Sequence, residues 1–206
     1  MSATAARPRL PASKRRAAIL DAAVELFSSK GFRGVTTRAL AASVGVTEPV
    51  LYQHFASKHA LYEAILEMKA MEAPFEVERE LERFTEAGDS QAFFTLLATL
   101  ILNWYCEDPR YARLLMYSAL EGHELSDLFY ERHVAIFYGW VTRHIESQVR
   151  RGKMRRTPPL LAARAFAGMV AHQGLIYAIY HPGDLAASRK QVVKTVVDLY
   201  LQGIMK

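Results

Sequence analysis

The chain has 206 residues, 51% of them hydrophobic and 23% charged, with a formal net charge of +5. No apolar run reaches the ~18 residues of a membrane span, and no apolar core follows the basic N-terminal residues as it would in a secretory leader. The single cysteine, Cys106, rules out an internal disulfide and reads as a small core residue, so the expectation is a globular, cytoplasmic protein long enough for two domains.

Residues 1–12 carry Arg7, Arg9, Pro8 and Pro11 without periodic pattern and read as a flexible basic arm. From Ser13, the apolar positions Ile19, Ala22, Ala23, Leu26 and Phe27 recur at helical spacing until Gly31 ends the run. Thr36 and Thr37 can cap a short second helix with an inner face of Leu40, Ala41 and Val44, and Gly45 supplies the left-handed position that closes it. Thr47 caps a third helix. Pro49 sits in its first turn, Leu51 and Phe55 share its inner face, and Val50, Tyr52, Gln53 and His54 face outward. Two short helices joined by a glycine turn form a helix-turn-helix, in which the second helix presents mixed polar and apolar tips to a DNA groove.

Ser57 opens a fourth helix with Leu61, Ile65, Met68 and Met71, and a break is expected at Ala73–Pro74. The glutamate-rich stretch from Glu76 to Glu86 reads as a solvated helix face. Beyond it, Asp89 caps a helix to Cys106, Asp108-Pro109 opens one ending near Gly122, and Ser126 opens a long one ending near Gly152. Thr157-Pro158-Pro159 starts a helix to about Tyr180. His181-Pro182-Gly183-Asp184 then breaks the chain, and a last helix from Asp184 carries Val193, Val196, Val197, Tyr200 and Ile204. The expected fold is all-α, of nine or ten helices, with a helix-turn-helix domain over 13–58 and a second domain over 59–206.

Charge follows the same division: residues 1–60 hold nine Lys/Arg against three Asp/Glu, whereas residues 61–100 hold three against nine. Positive charge beside phosphates gains affinity through counterion release, so the basic half coincides with the DNA motif. The seven histidines are scattered, and His123-Glu124 lacks the second histidine of a zinc protease. With no phosphate-cradling glycine loop and no nucleophile elbow, neither an enzyme, a metal site nor a cofactor is expected. The competing reading is a helical lipid- or small-molecule-binding module whose basic N-terminus touches an anionic membrane, for which the glycine turn would have no use.

The stretch from Lys14 to Leu61 resembles the DNA-binding domain of the tetracycline-repressor (TetR) family. Leu26-Phe27, Gly31-Phe32, Thr36-Thr37, the turn at Gly45, Leu51-Tyr52 with Phe55, and Ser57-Lys58 carry the resemblance. It implies that Thr36, Thr37, Tyr52 and Lys58 hold phosphates, while Arg38, Thr47, Pro49, Val50, Gln53 and His54 lie nearest base edges. Where the family starts its recognition helix with a small polar residue, then Lys, Gly and Thr, this chain has Thr47, Glu48, Pro49 and Val50. Glu48 either accepts from a cytosine amino group or favours the positive helix N-terminus.

The resemblance also implies a homodimer on a double-stranded, near-palindromic operator, paired through the last two long helices, and a small effector that releases DNA. Aromatic and methionine residues of the second domain read mostly as core. Trp104, Met116, Phe137, Trp140, Met169, His172, Gln173 and Tyr177 are the candidates for an effector pocket, because sparse polar groups among apolar ones are the usual form of such sites.

Overall fold

A computed structural model describes residues 11–70, 75–122 and 124–206. Residues 1–10 of the arm expected over 1–12, the break at Ala73–Pro74 and His123 lie outside the described residues, and Ala12 already opens the first helix. Eleven α-helical segments follow in order: α1 (Ala12–Lys30), α2 (Thr37–Ser43), α3 (Glu48–His54), α4 (Lys58–Ala70), α5 (Phe75–Ala87), α6 (Ser90–Glu107), α7 (Pro109–Leu120), α8 (Glu124–Phe129), α9 (Ala135–Arg150), α10 (Pro159–Leu175) and α11 (Arg189–Ile204). A π-helical turn at Tyr130–Val134 continues α8 into α9, and another at Ile176–Tyr180 extends α10. The described residues therefore make ten continuous helices, and their only β pairing is an isolated bridge between Met154 and Met205. None of these helices is long and apolar enough to cross a membrane.

Local chemistry explains most boundaries. Asp89 accepts from the N–H of Ala92 at 2.9 Å, Asp108 accepts from that of Arg110 at 3.1 Å, and Ser57 accepts from that of Ala60 at 2.9 Å. The last helix begins later than expected. Asp184 spends its carboxylate on the N–H of Ala186 at 2.7 Å, holding a turn, and Ser188 provides the cap by accepting from Gln191 at 3.3 Å. Periodicity alone could not distinguish that turn from a first helical turn.

Two cores form. The first gathers Ile19, Ala23, Val24 and Phe27 of α1, Leu40, Leu51 and Phe55, and Leu61, Tyr62 and Ile65 of α4. Tyr111 and Leu114 of α7 complete it, so the boundary expected at residue 58 cuts through a continuous core rather than between two. Phe27 meets Tyr62 edge-on at 4.9 Å, and the Tyr62 hydroxyl donates to the Leu114 carbonyl at 3.0 Å. Met68, expected on the inner face of α4, is instead exposed.

The second core is built around α6, whose Phe93, Phe94, Leu97 and Leu102 pack against α9, α10 and α11. Cys106 is buried in it, as expected of a small core residue. Gly174 is required where α10 crosses α6, because a Cβ there would run into the Tyr105 ring.

One polar group lies at the centre of this second core. His144, with no solvent exposure, stacks on Phe93 at 3.9 Å, with its Nδ1 2.9 Å from the Thr85 hydroxyl and its Nε2 3.0 Å from that of Ser90. Burial, reinforced by Arg151, lowers its pKa from 6.5 to about 4. Between those values the unfolded chain binds a proton that the folded chain refuses, so stability falls as pH drops through this window and is level above it. Urea titrations should show a loss approaching about 3 kcal/mol between pH 7 and pH 4, and His144→Gln should remove most of that slope.

Candidate nucleic-acid interface

The helix-turn-helix forms where the sequence places it. The Thr36 hydroxyl accepts from the N–H of Ala39 at 3.1 Å and caps α2, which closes through Gly45 at φ 68°. The Val46 N–H returns to the Ala41 carbonyl at 2.9 Å, fixing the turn, and Thr47 precedes α3 in extended conformation. Its own hydroxyl makes no capping bond; the end of α3 is served instead by Pro49 in its first turn and by the Glu48 charge.

With Leu51 and Phe55 buried, α3 turns Thr47, Pro49, Tyr52 and Gln53 to solvent, with Val50 and His54 half-buried at the flanks. Tyr52 is 46% exposed. Arg38 lies exposed in the first turn of α2. The guanidinium of Arg16 sits 4.8 Å from the Phe55 ring centre, so one basic group of α1 braces the far end of α3.

Three of the candidate contacts are engaged within the chain. Thr37 donates its hydroxyl hydrogen to Glu48 Oε2 at 2.7 Å, linking α2 to α3, so neither Thr37 as a phosphate donor nor Glu48 as a base acceptor is unencumbered. This hydrogen bond gives Glu48 a role beside the helix dipole that spacing did not suggest. Lys58 does not point away from the head. Its ammonium lies 4.0 Å from the Phe32 ring centre and donates to the Phe32 carbonyl, and burial lowers its pKa below the usual lysine range. Thr36, by contrast, accepts within the cap and keeps its hydroxyl hydrogen for a further acceptor.

Contacts that sequence reading missed tie this unit to α7. Arg110 reaches Asp21 at 3.1 Å and Glu25 at 3.6 Å on α1, and Glu121 accepts from the Phe32 N–H at 3.0 Å. No local signal announces pairs this far apart in the chain.

Comparison with known proteins fits this geometry. Residues 19–65 match the family model for "Bacterial regulatory proteins, tetR family", and residues 106–203 match that for "AefR-like transcriptional repressor, C-terminal domain". A curated relative, the nucleoid occlusion factor SlmA of Marinobacter nauticus, is 34% identical over 152 residues, covering 73% of this chain and 75% of that one. The chain belongs to the tetR family. It is a DNA-binding transcriptional regulator with an N-terminal helix-turn-helix and a C-terminal helical domain. Two solved structures show the same fold: a TetR family transcriptional regulator from Chloroflexus aurantiacus, with TM-score 0.72, 16% identity and 96% of each chain covered, and KstR2 of Mycobacterium tuberculosis, with TM-score 0.69, 18% identity and 97% and 100% covered.

The effector candidates of this tetR-family chain do not converge on one cavity. Met169, His172 and Gln173 line an open groove of about 450 Å³ between α10 and α11, together with Val192, Val196 and Leu199. Met116 is exposed on α7, Tyr177 and Phe137 pack on the second core, and the Trp140 N–H donates to Glu78 at 3.2 Å. Trp104 belongs to a different group, an aromatic layer at the first π turn. There it stands 4.9 Å from Tyr105 and 5.8 Å from Phe129, which stands 5.2 Å from His133. Helical spacing could not separate these sets, because each helix here has apolar residues on more than one face.

The Thr37–Glu48 pair should behave as one unit. Thr37→Val and Glu48→Gln should each cost about 1–2 kcal/mol, and the double variant should cost scarcely more than either alone in thermal denaturation.

Proposed function

We propose that this regulator acts as a homodimer on a near-palindromic operator, represses transcription from it, and is released by a small apolar or aromatic effector. The observation that carries the reading is the tip of α3, where Thr47, Pro49, Tyr52 and Gln53 face solvent while Leu51 and Phe55 anchor the helix beneath. A helix entering the major groove needs this division between a seated and a readable face. Gln53, Thr47, Pro49, Val50 and His54 supply base-edge contacts, with Arg38 beside them, and Thr36 and Tyr52 supply phosphate contacts. Lys58 and Thr37 act on the head itself.

The dimer is assigned to α10 and α11. Leu161, Ala165, Gly168 and His172 form one exposed row on α10, and Gln191, Thr195 and Leu199 form another on α11. Leu199 is 57% exposed, and small residues beside it allow a second helix pair to approach closely. On this reading Met169, His172 and Gln173 belong to the subunit contact rather than to the effector site. Two heads a helical turn of DNA apart, near 34–36 Å, then read two half-sites.

An apolar or aromatic effector is supported by the layer of Trp104, Tyr105, Phe129 and His133, continued by Tyr138 and Tyr130 at 6.5 Å from each other. Burial lowers the His133 pKa, so it enters as a neutral polar handle in an apolar wall, beside a π turn of the kind that often marks functional sites.

Operator fragments can be selected from a random duplex library by the full-length protein. Gln53→Ala should lose about 1–3 kcal/mol of discrimination at one base step, whereas Tyr52→Phe should weaken all sequences alike. Leu199→Lys should sediment as a monomer and lose operator binding. A dimer that persists in that variant would remove α11 from the interface, and a wild-type protein that selects no fragment would end the operator reading.

A further inference from the structure

The head of this molecule is not joined to its body by α4 alone. At the C-terminal end of α7, Glu121 turns its carboxylate onto the loop between α1 and α2: Oε2 accepts from the Phe32 N–H at 3.0 Å, and the Arg33 N–H is shared between Oε1 at 3.3 Å and Oε2 at 3.4 Å. The grip is reciprocal, because the Arg33 guanidinium donates to the Glu121 carbonyl at 3.2 Å. One turn earlier on α7, the Tyr117 hydroxyl donates to the Ser29 carbonyl at 3.4 Å.

The loop is shaped for this approach. Gly31 sits at φ 70°, and a Cβ there would run into Glu121 Oε1 and lie 3.1 Å from the Tyr117 ring. On the other side, the Lys58 ammonium holds the Phe32 carbonyl and covers its ring, so both ends of this peptide stretch are fixed by charged groups. Three residues beyond Arg33 the chain reaches Thr36, the cap of α2, and the helix-turn-helix begins.

Apolar contact between α1, α4 and α7 has no preferred direction along the surface, whereas N–H groups donated to a carboxylate fix both position and angle. We infer that Glu121 is a positioning residue for DNA reading: its carboxylate sets the seat of the helix-turn-helix on α7, and with it the separation at which two heads meet their half-sites. This rests on the dimeric operator reading above. The remainder of α7 extends the link into the body, since the Arg113 Nε donates to the Ala178 carbonyl in the second π turn at 3.0 Å and α7 also packs against α8. A shift of α7 therefore carries the loop, and the head, with it.

The test uses the full-length protein and a duplex fragment that the wild type selects from a random library, compared with the same fragment carrying one extra base pair at its dyad. The wild type should prefer the original spacing by about tenfold or more, within the usual range of coupling between sites. Glu121→Ala should bind the original fragment about tenfold more weakly and tolerate the altered spacing to within about threefold, while amide exchange at Phe32 and Arg33 accelerates. Glu121→Gln, which keeps one acceptor oxygen and nearly the same volume, should fall between them, and it serves if the alanine variant does not fold. Wild-type spacing preference in Glu121→Ala overturns the inference, as does unchanged exchange at the two amides. Faster exchange with unaltered DNA binding also overturns it, reducing the contact to a loop staple. A wild type that selects no DNA would sink the operator reading instead, leaving the exchange data to judge the clamp.

Discussion

The seat of the helix-turn-helix on α7 is the constraint from which the rest of this structure follows. One long helix, α1, with the two seven-residue helices α2 and α3 encloses too little apolar surface to hold a fixed shape, because small units bury a smaller share of their surface than large ones. Here Phe27 and Tyr62 lie against Tyr111 and Leu114, so the DNA-reading unit completes its core with residues well beyond it in the chain, Leu114 following Tyr62 by 52 positions. Burial pushes the Tyr62 hydroxyl pKa well up, and that hydroxyl is paired with the Leu114 carbonyl at 3.0 Å. A group so placed is costly to leave unpaired, which makes sliding between the two surfaces costly as well. The arrangement of the reading helix is thus fixed partly from the body.

The elements that were legible in the sequence are those whose cause is local. Thr36 and Gly45 mark the ends of α2, Asp89 and Asp108 cap their helices, and Leu51 and Phe55 fall on the buried side of α3, since each choice depends on residues within one or two turns. Asp184 misled because an aspartate that stabilises a turn and one that caps a helix look alike until the following φ angles are known. The family resemblance places Thr37 and Lys58 on phosphates. Their hydroxyl and ammonium find nearer partners in Glu48 and Phe32, and no spacing rule reports that competition. Glu121 carried no signal at all. A glutamate at a helix end is ordinary until a loop 88 residues earlier in the chain is seen to lie against it.

The candidate effector residues failed to converge for a related reason. Apolar residues at helical spacing identify a face but not its neighbour, and α10 has two such faces. Phe166 and Val170 turn inward to the second core, whereas Met169 and His172 turn toward the open groove beside α11. The π turns add a further ambiguity. An extra residue in a helical turn rotates everything after it by roughly 100°, so positions before and after Tyr130–Val134 cannot be placed on one helical wheel. Trp104 and Phe137 are both candidates by composition, yet Trp104 stands beside Phe129 and Phe137 packs on the second core.

The start of α3 gives the last step. A carboxylate in the first turn of a recognition helix would ordinarily repel the phosphates it approaches. Glu48 meets two conditions that soften this: it lies at the positive end of α3, and one oxygen already accepts from Thr37 at 2.7 Å. Charge held in that way is directed along the protein rather than out into the groove. It stiffens the angle between α2 and α3 at the point where angular error would be most damaging, because the tip beyond it has to meet base edges within hydrogen-bond tolerance. On the proposed reading, base contact lies one turn along the helix at Gln53 and its neighbours, with Arg38 beside them, and phosphate affinity falls to the exposed Tyr52 and Thr36 rather than to Lys58. On that reading, the Thr37–Glu48 hydrogen bond stands where a cationic contact would otherwise be and makes the reading head more rigid. Its discrimination should accordingly depend more on geometry than on charge, which is the regime in which a spacing clamp such as Glu121 has the most influence.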